Sequence, residues 1–260
     1  MPNTLYFHFQ QATSIANAKK GSVCLMQDFA GAFGLAFRLI ASGNADLFEI
    51  VLLSMRISLS ALALSCLMGF PLGALLVVVR FPGRGIVIAL VNAMMGLPPV
   101  VVGLLVYLML SRAGPMGWLG LLYSPAAMII AQTLLITPII AALSRQVLEG
   151  LHAEYDEQFR SLGLSRGRAA MALIVDGRYG LVTVALAGFG RAVAEVGAVM
   201  IVGGNIDHLT RVMTTAIALE TSKGDLGMAL ALGVILMTIA IAVNLAAGVL
   251  RRVAERHAYA

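Results

Sequence analysis

Long apolar runs separated by short polar connections occupy most of this 260-residue chain. A run of about 17–25 predominantly apolar residues is long enough to cross the hydrocarbon core of a bilayer as a helix. The runs that meet this criterion cover residues 57–79, 86–110, 126–143, 181–202 and 226–250. The pattern therefore predicts an all-α integral membrane protein with five transmembrane helices.

Three of these runs contain proline, which disturbs a helix, and in the third run it is Pro138 near the end. In the second run, Pro98 and Pro99 remove two amide donors, which predicts a break or a bend whose free carbonyls must face protein or water. In the first run, the segment GFPLG (residues 69–73) predicts either a bend or a close crossing with another helix.

The composition excludes an ordinary soluble domain. Hydrophobic residues make up 60% of the chain and charged residues 12%, whereas soluble domains have about 45–50% apolar and about 25% charged residues. The formal net charge is +5, but the basic residues lie in short loops beside the apolar runs and are not interleaved with aromatic residues. Orientation in a membrane explains this charge better than nucleic-acid binding, so no nucleic-acid partner is predicted.

Residues 1–45 differ from the rest of the chain and form a predicted N-terminal extension. The first 26 residues lack the apolar core and the cleavage site of a secretory signal, and we expect them to be poorly ordered. Residues 29–40 repeat apolar side chains at helical spacing but are too short to span a bilayer. They form either an amphipathic helix in the membrane interface or a helix packed on its own protein. Residues 46–252 are the predicted transmembrane domain.

The most charged stretch of the chain, residues 151–176, lies in the polar segment 144–180 between the third and fourth predicted spans. Such a stretch is either a solvated loop or a docking surface. If it is cytoplasmic, the segments on that side carry more Lys and Arg than the segments on the other side, as the positive-inside rule requires. Five spans then place the N-terminus outside and the C-terminus in the cytoplasm.

Arg191 and Glu195 are ionisable side chains well inside the fourth predicted span. Each costs about 2.5–3.5 kcal/mol at the centre of a bilayer on insertion scales. Their i,i+4 spacing puts them on one face of a helix, where they can pair. Two interpretations stand: an internal ion pair that fixes helix packing, and residues that line a substrate path or move with a gate.

The chain carries no recognisable catalytic or metal-binding pattern. Cys24 and Cys66 fit neither a disulfide framework nor a zinc site, and the four histidines are scattered. The adjacent Asp207 and His208 lack a positioned nucleophile, so we interpret them as solvated loop residues. They lie in residues 203–225, which predict a short helix or a re-entrant piece at the outer surface. No G-x-x-x-x-G-K-[ST] phosphate loop occurs, so a partner must perform any ATP-driven work.

The charged stretch resembles the cytoplasmic coupling loop of ABC importer permeases, whose pattern is E-A-A-x-x-x-G followed by I-x-L-P. Glu157, Gly163 and Leu173 match its acid, glycine and isoleucine positions. The chain departs from the pattern at Gln158, Phe159, Val175 and Asp176.

Further stretches narrow the resemblance. Residues 97–103, LPPVVVG, are similar to a segment of molybdate and tungstate importer permeases. Residues 190–206 and 218–225 resemble the tungstate branch.

The resemblance implies a homodimer of permease subunits in the cytoplasmic (inner) membrane of a bacterium or archaeon. Two ABC ATP-binding subunits would sit on the cytoplasmic side, and an extracytoplasmic substrate-binding protein would deliver an oxyanion for import by alternating access. Tungstate is the expected ion, with molybdate or sulfate as alternatives. This chain would bind no cofactor, because the partner subunit uses the ATP. Rival functions of another class are an intramembrane enzyme and a stand-alone channel.

Candidate site residues follow from the resemblance and from the residues above. The coupling loop would form two short helices joined by a turn at Gly163. Its predicted ATPase contacts are Asp156, Glu157, Phe159, Arg160, Leu162, Gly163 and Arg166. The candidates for the translocation path or gate are Pro98, Pro99, Arg191 and Glu195.

Overall fold

The computed structural model describes residue 31 and residues 33–258, and every regular element within them is helical. This confirms the predicted all-α class. Helix α1 covers residues 33–41, whereas residues 1–26 lie outside the described residues. The other helices are α2 (Ala45–Val78), α3 (Arg84–Met94), α4 (Pro99–Leu110), α5 (Pro125–Ser161), α6 (Arg166–Asp176), α7 (Arg178–Val193), α8 (Gly197–Gly203), α9 (Met213–Lys223) and α10 (Leu226–Ala258).

Helix α1 packs on the rest of the bundle through Ala36, while Leu35 and Phe37 are exposed, so both alternatives for this segment stay open. Ala36 is buried in a cluster that includes Leu47 of α2, Phe189 of α7 and Leu232 of α10. α9 is the short helix predicted after the fourth apolar run, and Met213 at its start is buried in the same cluster.

Helices α2 and α5 are the longest and form the most extensive helix pair of the bundle. α2 has 34 residues and begins where the Asn44 side chain accepts a hydrogen bond from the Leu47 N–H at 3.1 Å. α5 has 37 residues and is capped in the same way by Ser124. Both helices extend beyond the apolar runs that predicted them, because caps and backbone continuity rather than hydropathy determine where a helix begins and ends.

Glycines allow α2 and α5 to cross at close range. A Cβ atom on Gly69 would lie 2.7 Å from Ile140 Cγ2, and one on Gly73 would lie 2.8 Å from the carbonyl oxygen of Ala141. Spacings this short leave no room for a side chain at either position. The GFPLG segment therefore makes the predicted close crossing.

Three helices are long and apolar enough to cross a membrane, namely α2, α5 and the Leu226–Val249 part of α10. Two bent pairs add further candidates, since α3 and α4 meet at 99° and α6 and α7 at 76°. The described residues thus contain up to five spans if each bent pair is one span. The predicted number of spans equals this upper count, but the predicted fourth span, residues 181–202, does not have the bounds of the bent pair α6–α7 (residues 166–193).

Two of the predicted spans are interrupted, one before α4 and one after α7, and both interruptions contribute to the candidate site. The second predicted span breaks where expected, because α3 ends at Met94 and α4 begins at Pro99. The continuous helix predicted over residues 181–202 is wrong: α7 ends at Val193 and α8 begins at Gly197. In the interval, backbone and side-chain groups of Glu195 bond to α8 and α9, which stabilises an irregular backbone there.

The close crossing predicts that even one methyl group at Gly73 destabilises the protein. Gly73→Ala should cost about 1–3 kcal/mol, as overpacking does in well-packed cores, because the new Cβ would meet the α5 backbone. The midpoint of thermal unfolding in detergent measures this.

Gly150→Ala is the matched control, since Gly150 lies in exposed α5 surface and its added Cβ meets nothing within 4 Å. That variant should be neutral or stabilising by up to about 1 kcal/mol, because Ala favours a helix more than Gly does. Equal behaviour of the two variants would contradict the tight crossing.

Candidate functional site

Two helix breaks meet inside the bundle. The first turns of α4 and α8 are in direct contact, because a Cβ atom on Gly197 would lie 2.8 Å from Val100 Cγ2 and one on Gly103 would lie 2.7 Å from the Cα of Ala198. The same Cβ atom on Gly197 would lie 3.7 Å from Oε1 of Glu195. The structure therefore brings the Pro98-Pro99 break close to the break that contains Glu195.

Glu195 is buried at the α7–α8 break, with its side chain 4% exposed. Its carboxylate accepts hydrogen bonds from Arg191 Nη1 at 2.5 Å and from the Ala198 N–H at 3.1 Å. Its backbone carbonyl accepts a third bond, from the Thr214 hydroxyl at 2.8 Å. The predicted Arg191–Glu195 ion pair is present, and its additional partners offset the cost of removing a carboxylate from water.

Arg191 differs from its partner because its side chain is 36% exposed. It lies roughly 20 Å along α7 from the first residue of that helix, Arg178, at 1.5 Å rise per residue. A guanidinium exposed to lipid at such a depth is costly. Within a bilayer, the exposed edge of Arg191 would need water or a second protein chain beside it.

Sequence reasoning missed Gln132, which lies in the middle of the third apolar run. Its Nε2 donates to the Ala192 carbonyl at 3.1 Å, near the end of α7. Its Oε1 is buried and has no hydrogen-bond partner among the described residues. It lines a small cavity together with Ser58, Glu195 and Thr214. The signal in the sequence was one amide side chain in a span whose other polar side chains are two threonines.

The charged stretch lies at the other end of the bundle and turns at Gly163. Gly163 has a φ of +60°, a left-handed conformation that glycine adopts without strain. The turn closes with a hydrogen bond from the Leu164 N–H to the Phe159 carbonyl at 3.0 Å, which satisfies a free carbonyl at the end of α5. α6 begins directly after the turn, at Arg166.

The first of the two short helices implied by the family resemblance is not a separate helix. It is the C-terminal end of α5, which continues without interruption from the apolar run to Ser161. A single exposed glycine, Gly150, does not break the helix, and Pro138 lies well before the charged stretch.

The predicted contact residues of the turn have different environments. Phe159 is half-buried and packs edge to face on Tyr155, with ring centroids 5.9 Å apart. Asp156 is 2.7 Å from Arg160 in an ion pair one helical turn apart. Leu162 is 73% exposed, so it is the apolar side chain that the turn presents outward. Glu157, Gly163 and Arg166 are also exposed.

Asp207 and His208 have separate partners and do not form a catalytic pair. Asp207 Oδ1 is 2.6 Å from Arg211 Nη1, and His208 Nδ1 is 2.8 Å from Glu49 Oε2. The hydrogen bond to the Glu49 carboxylate and its charge raise the pKa of the exposed His208. The His208–Glu49 contact attaches the loop before α9 to the start of α2, whereas Asp207 and Arg211 pair within that loop.

Comparisons with known proteins agree with this architecture. The chain matches, over residues 65–255, the family described as "Binding-protein-dependent transport system inner membrane component". It is 38% identical over 203 residues to a probable anion ABC transporter permease protein of Haloferax volcanii, covering 76% of this chain and 88% of the relative.

Two further relatives are tungstate uptake system permease proteins named TupB. The one from Peptoclostridium acidaminophilum is 37% identical over 219 residues, covering 84% of this chain and 96% of the relative. The one from Campylobacter jejuni is 39% identical over 163 residues, covering 63% and 68% of the two chains. The resemblance to ABC importer permeases is confirmed, and the chain belongs to the family of inner membrane components of binding-protein-dependent transport systems.

Proposed function

We propose that this chain is the membrane-spanning permease subunit of an ATP-driven importer of tungstate. The observation that carries the proposal is the similarity to a tungstate uptake permease, which extends over 84% of this chain at 37% identity. Molybdate and sulfate are tetrahedral dianions like tungstate, and they remain the alternatives that a competition experiment must separate.

The complete importer contains partners that this chain does not supply. We propose that two copies of the chain form a homodimer, that two ABC ATP-binding subunits bind the ends carrying the Gly163 turns, and that an extracytoplasmic binding protein delivers the anion to the opposite ends. Membership of a binding-protein-dependent transport family supports the last of these partners. ATP is bound and hydrolysed by the ATP-binding subunits.

The distribution of basic residues supports a cytoplasmic location for the Gly163 turn. Arg80 and Arg84 follow the C-terminal end of α2, Arg145 lies in the C-terminal half of α5, Arg160 lies in its last turn, and Arg166 begins α6. This end of the bundle thus carries the positive charge expected of cytoplasmic segments. The start of α2 is then extracytoplasmic, with the chain's N-terminus outside and its C-terminus in the cytoplasm.

The translocation path runs past the two helix breaks. Irregular backbone within a membrane is tolerated where it is buried in protein or lines a water-filled cavity. Pro98 and Pro99 lie on one break and Glu195 on the other, while Arg191 presents an exposed cationic edge beside them. We assign Arg191 to contact with the passing anion and Glu195 to holding Arg191 in position.

In this proposal, long helices transmit a displacement of the Gly163 turn to the two helix breaks. α5 carries Gln132 at the α7–α8 break and ends at the Gly163 turn. When the ATP-binding subunits close around ATP, they displace the two turns, and α5 and α7 follow as rigid elements. The bundle then alternates between inward-facing and outward-facing states.

Transport by the reconstituted complex tests the proposed function. Liposomes that contain this chain and its ATP-binding subunit should accumulate labelled tungstate only with ATP and the binding protein present. An excess of unlabelled tungstate should suppress uptake more strongly than equal molybdate or sulfate. Uptake without ATP would indicate a channel, and stronger competition by molybdate or sulfate would assign the importer to that ion.

Leu162→Asp should weaken binding of the ATP-binding subunit by at least tenfold, because an exposed apolar contact would become a charge while the fold stays intact. Co-purification from detergent and the ATPase rate of the complex measure this effect. Gly85→Asp is the control, since it adds the same charge at an exposed position of α3 whose Cβ meets nothing within 4 Å. Equal recovery of the ATP-binding subunit with Leu162→Asp and with the wild type would refute the docking role.

The Arg191–Glu195 pair predicts non-additive effects on stability. Arg191→Met should lower the thermal midpoint more, by a loss of about 3–5 kcal/mol, because it leaves the buried Glu195 carboxylate without its partner charge. Glu195→Gln should lower it less, because the Arg191 side chain that it leaves unpaired is partly exposed. The double variant should lose less stability than the sum of the losses in the two single variants, because glutamine still accepts a hydrogen bond from the Ala198 N–H and no unpaired charge remains. Strictly additive losses would show that the two side chains do not interact.

Uptake by the same double variant separates packing from transport. If Arg191 contacts the anion, the folded double variant should show a raised KM for tungstate delivered by the binding protein. An unchanged KM would assign the pair to helix packing alone.

A further inference from the structure

A cleft of about 480 Å³ lies behind the Gly163 turn. It is enclosed by the residues that follow α2, the last turns of α5 and the first turn of α6. The volume falls within the range of roughly 300–1,000 Å³ that is usual for small-ligand pockets. Its polar lining consists mainly of Arg80, His152, Asp156, Arg160 and Arg166.

The charges around the cleft do not cancel. Arg160 is paired with Asp156 at 2.7 Å, but neither Arg80 nor Arg166 has an ion-pair partner among the described residues. The Nδ1 atom of His152 is buried and also has no hydrogen-bond partner there. The cleft therefore offers two uncompensated guanidinium groups from different segments of the chain, together with an unused imidazole nitrogen.

The start of α6 adds to this positive potential. α6 begins at Arg166, and the side chain of Ser165 makes no capping hydrogen bond to its first turn. The N-terminus of a helix carries a partial positive charge and free N–H groups. The N-terminus of α6 adds its partial charge to that of the arginines and is not a site by itself.

We propose that this cleft binds a phosphate-like tetrahedral oxyanion. The planar fork of a guanidinium group matches two oxygens of such an anion, and two arginines from different segments can hold it from two sides. A phosphate-like oxyanion has two sources at this location. One is the phosphate of an anionic lipid, because Arg80 follows directly after the apolar part of α2; the other is a free oxyanion in the adjacent water.

A bound anion would connect two parts of the chain that no ion pair joins among the residues the structure describes. Arg80 belongs to the connection after α2, and Arg166 begins the helix after the Gly163 turn. An anion between them would hold the turn against the bundle. The site would thereby respond to lipid composition or to oxyanion concentration at the end of the protein that we assign to ATPase docking. This inference goes beyond the proposed function, since binding requires neither ATP nor transport.

Binding to the purified full chain, without its partners, tests the proposal. Isothermal titration in detergent uses inorganic phosphate and tungstate as free probes, and native mass spectrometry of nanodiscs compares phosphatidylglycerol with phosphatidylcholine. The double variant Arg80→Gln/Arg166→Gln should bind at least tenfold more weakly. The matched control is Arg168→Gln, because Arg168 is an exposed arginine of the same helix α6 that does not line the cleft; it should bind within twofold of the wild type.

The outcomes distinguish the two sources. Saturable binding of phosphate or tungstate that depends on Arg80 and Arg166 supports a free-anion site. Retention of phosphatidylglycerol alone, with the same dependence, supports a headgroup site. No binding of any probe to the wild type overturns the proposal, as does an equal loss in the Arg168→Gln control. Unchanged thermal midpoints of the variants show that a loss of binding is not a loss of fold.

Discussion

Inside a bilayer there is no water, so every backbone N–H and C=O group must find a hydrogen-bond partner within the protein. The contacts around Glu195 meet this constraint at a helix break, where the regular helical partners are missing. The chain leaves the helical path after Val193, and the groups freed there bond to side chains. Glu195 accepts the Ala198 N–H, Thr214 donates to the Glu195 carbonyl, and Gln132 donates to the Ala192 carbonyl. Because these donors come from α5 and α9 as well as α8, the break is held by the fold as a whole.

The break before α4 is in direct contact with the break after Val193. α4 can approach α8 because Gly103 and Gly197 have no side chains, and larger residues would separate the two first turns. Neither break is therefore an isolated irregularity. At the break that contains Glu195, regular helical hydrogen bonding gives way to bonds with side chains. An opening motion there exchanges side-chain bonds, whereas an opening motion within α2 or α5 would break helical ones.

The sequence predicted those features that have a local cause. Pro98-Pro99 removes donors wherever it occurs, so the break before α4 could be predicted from residue type alone. The break after Val193 could not, because residues 181–202 are apolar enough overall to predict one span, the i,i+4 spacing of Arg191 and Glu195 also fits a continuous helix, and two of the groups that stabilise the break come from distant segments. The i,i+4 pairing of Arg191 with Glu195 was predictable, since even an irregular turn keeps them close. The environment of Gln132 depends on tertiary packing that one amide in an apolar run does not specify.

The geometry of α5 limits how the two ends of the protein can communicate. Gln132 and Ser161 are separated by roughly 43 Å of continuous helix at 1.5 Å per residue. Sliding of α5 along α2 is opposed by the crossing at Gly69 and Gly73, where the helix backbones are too close to pass over a side chain. A displacement of the Gly163 turn that tilts α5 as one element would therefore pivot about that crossing. Such a tilt would move the two ends of α5 in opposite directions and strain the hydrogen bond that Gln132 donates to Ala192, unless the helix bends at Pro138.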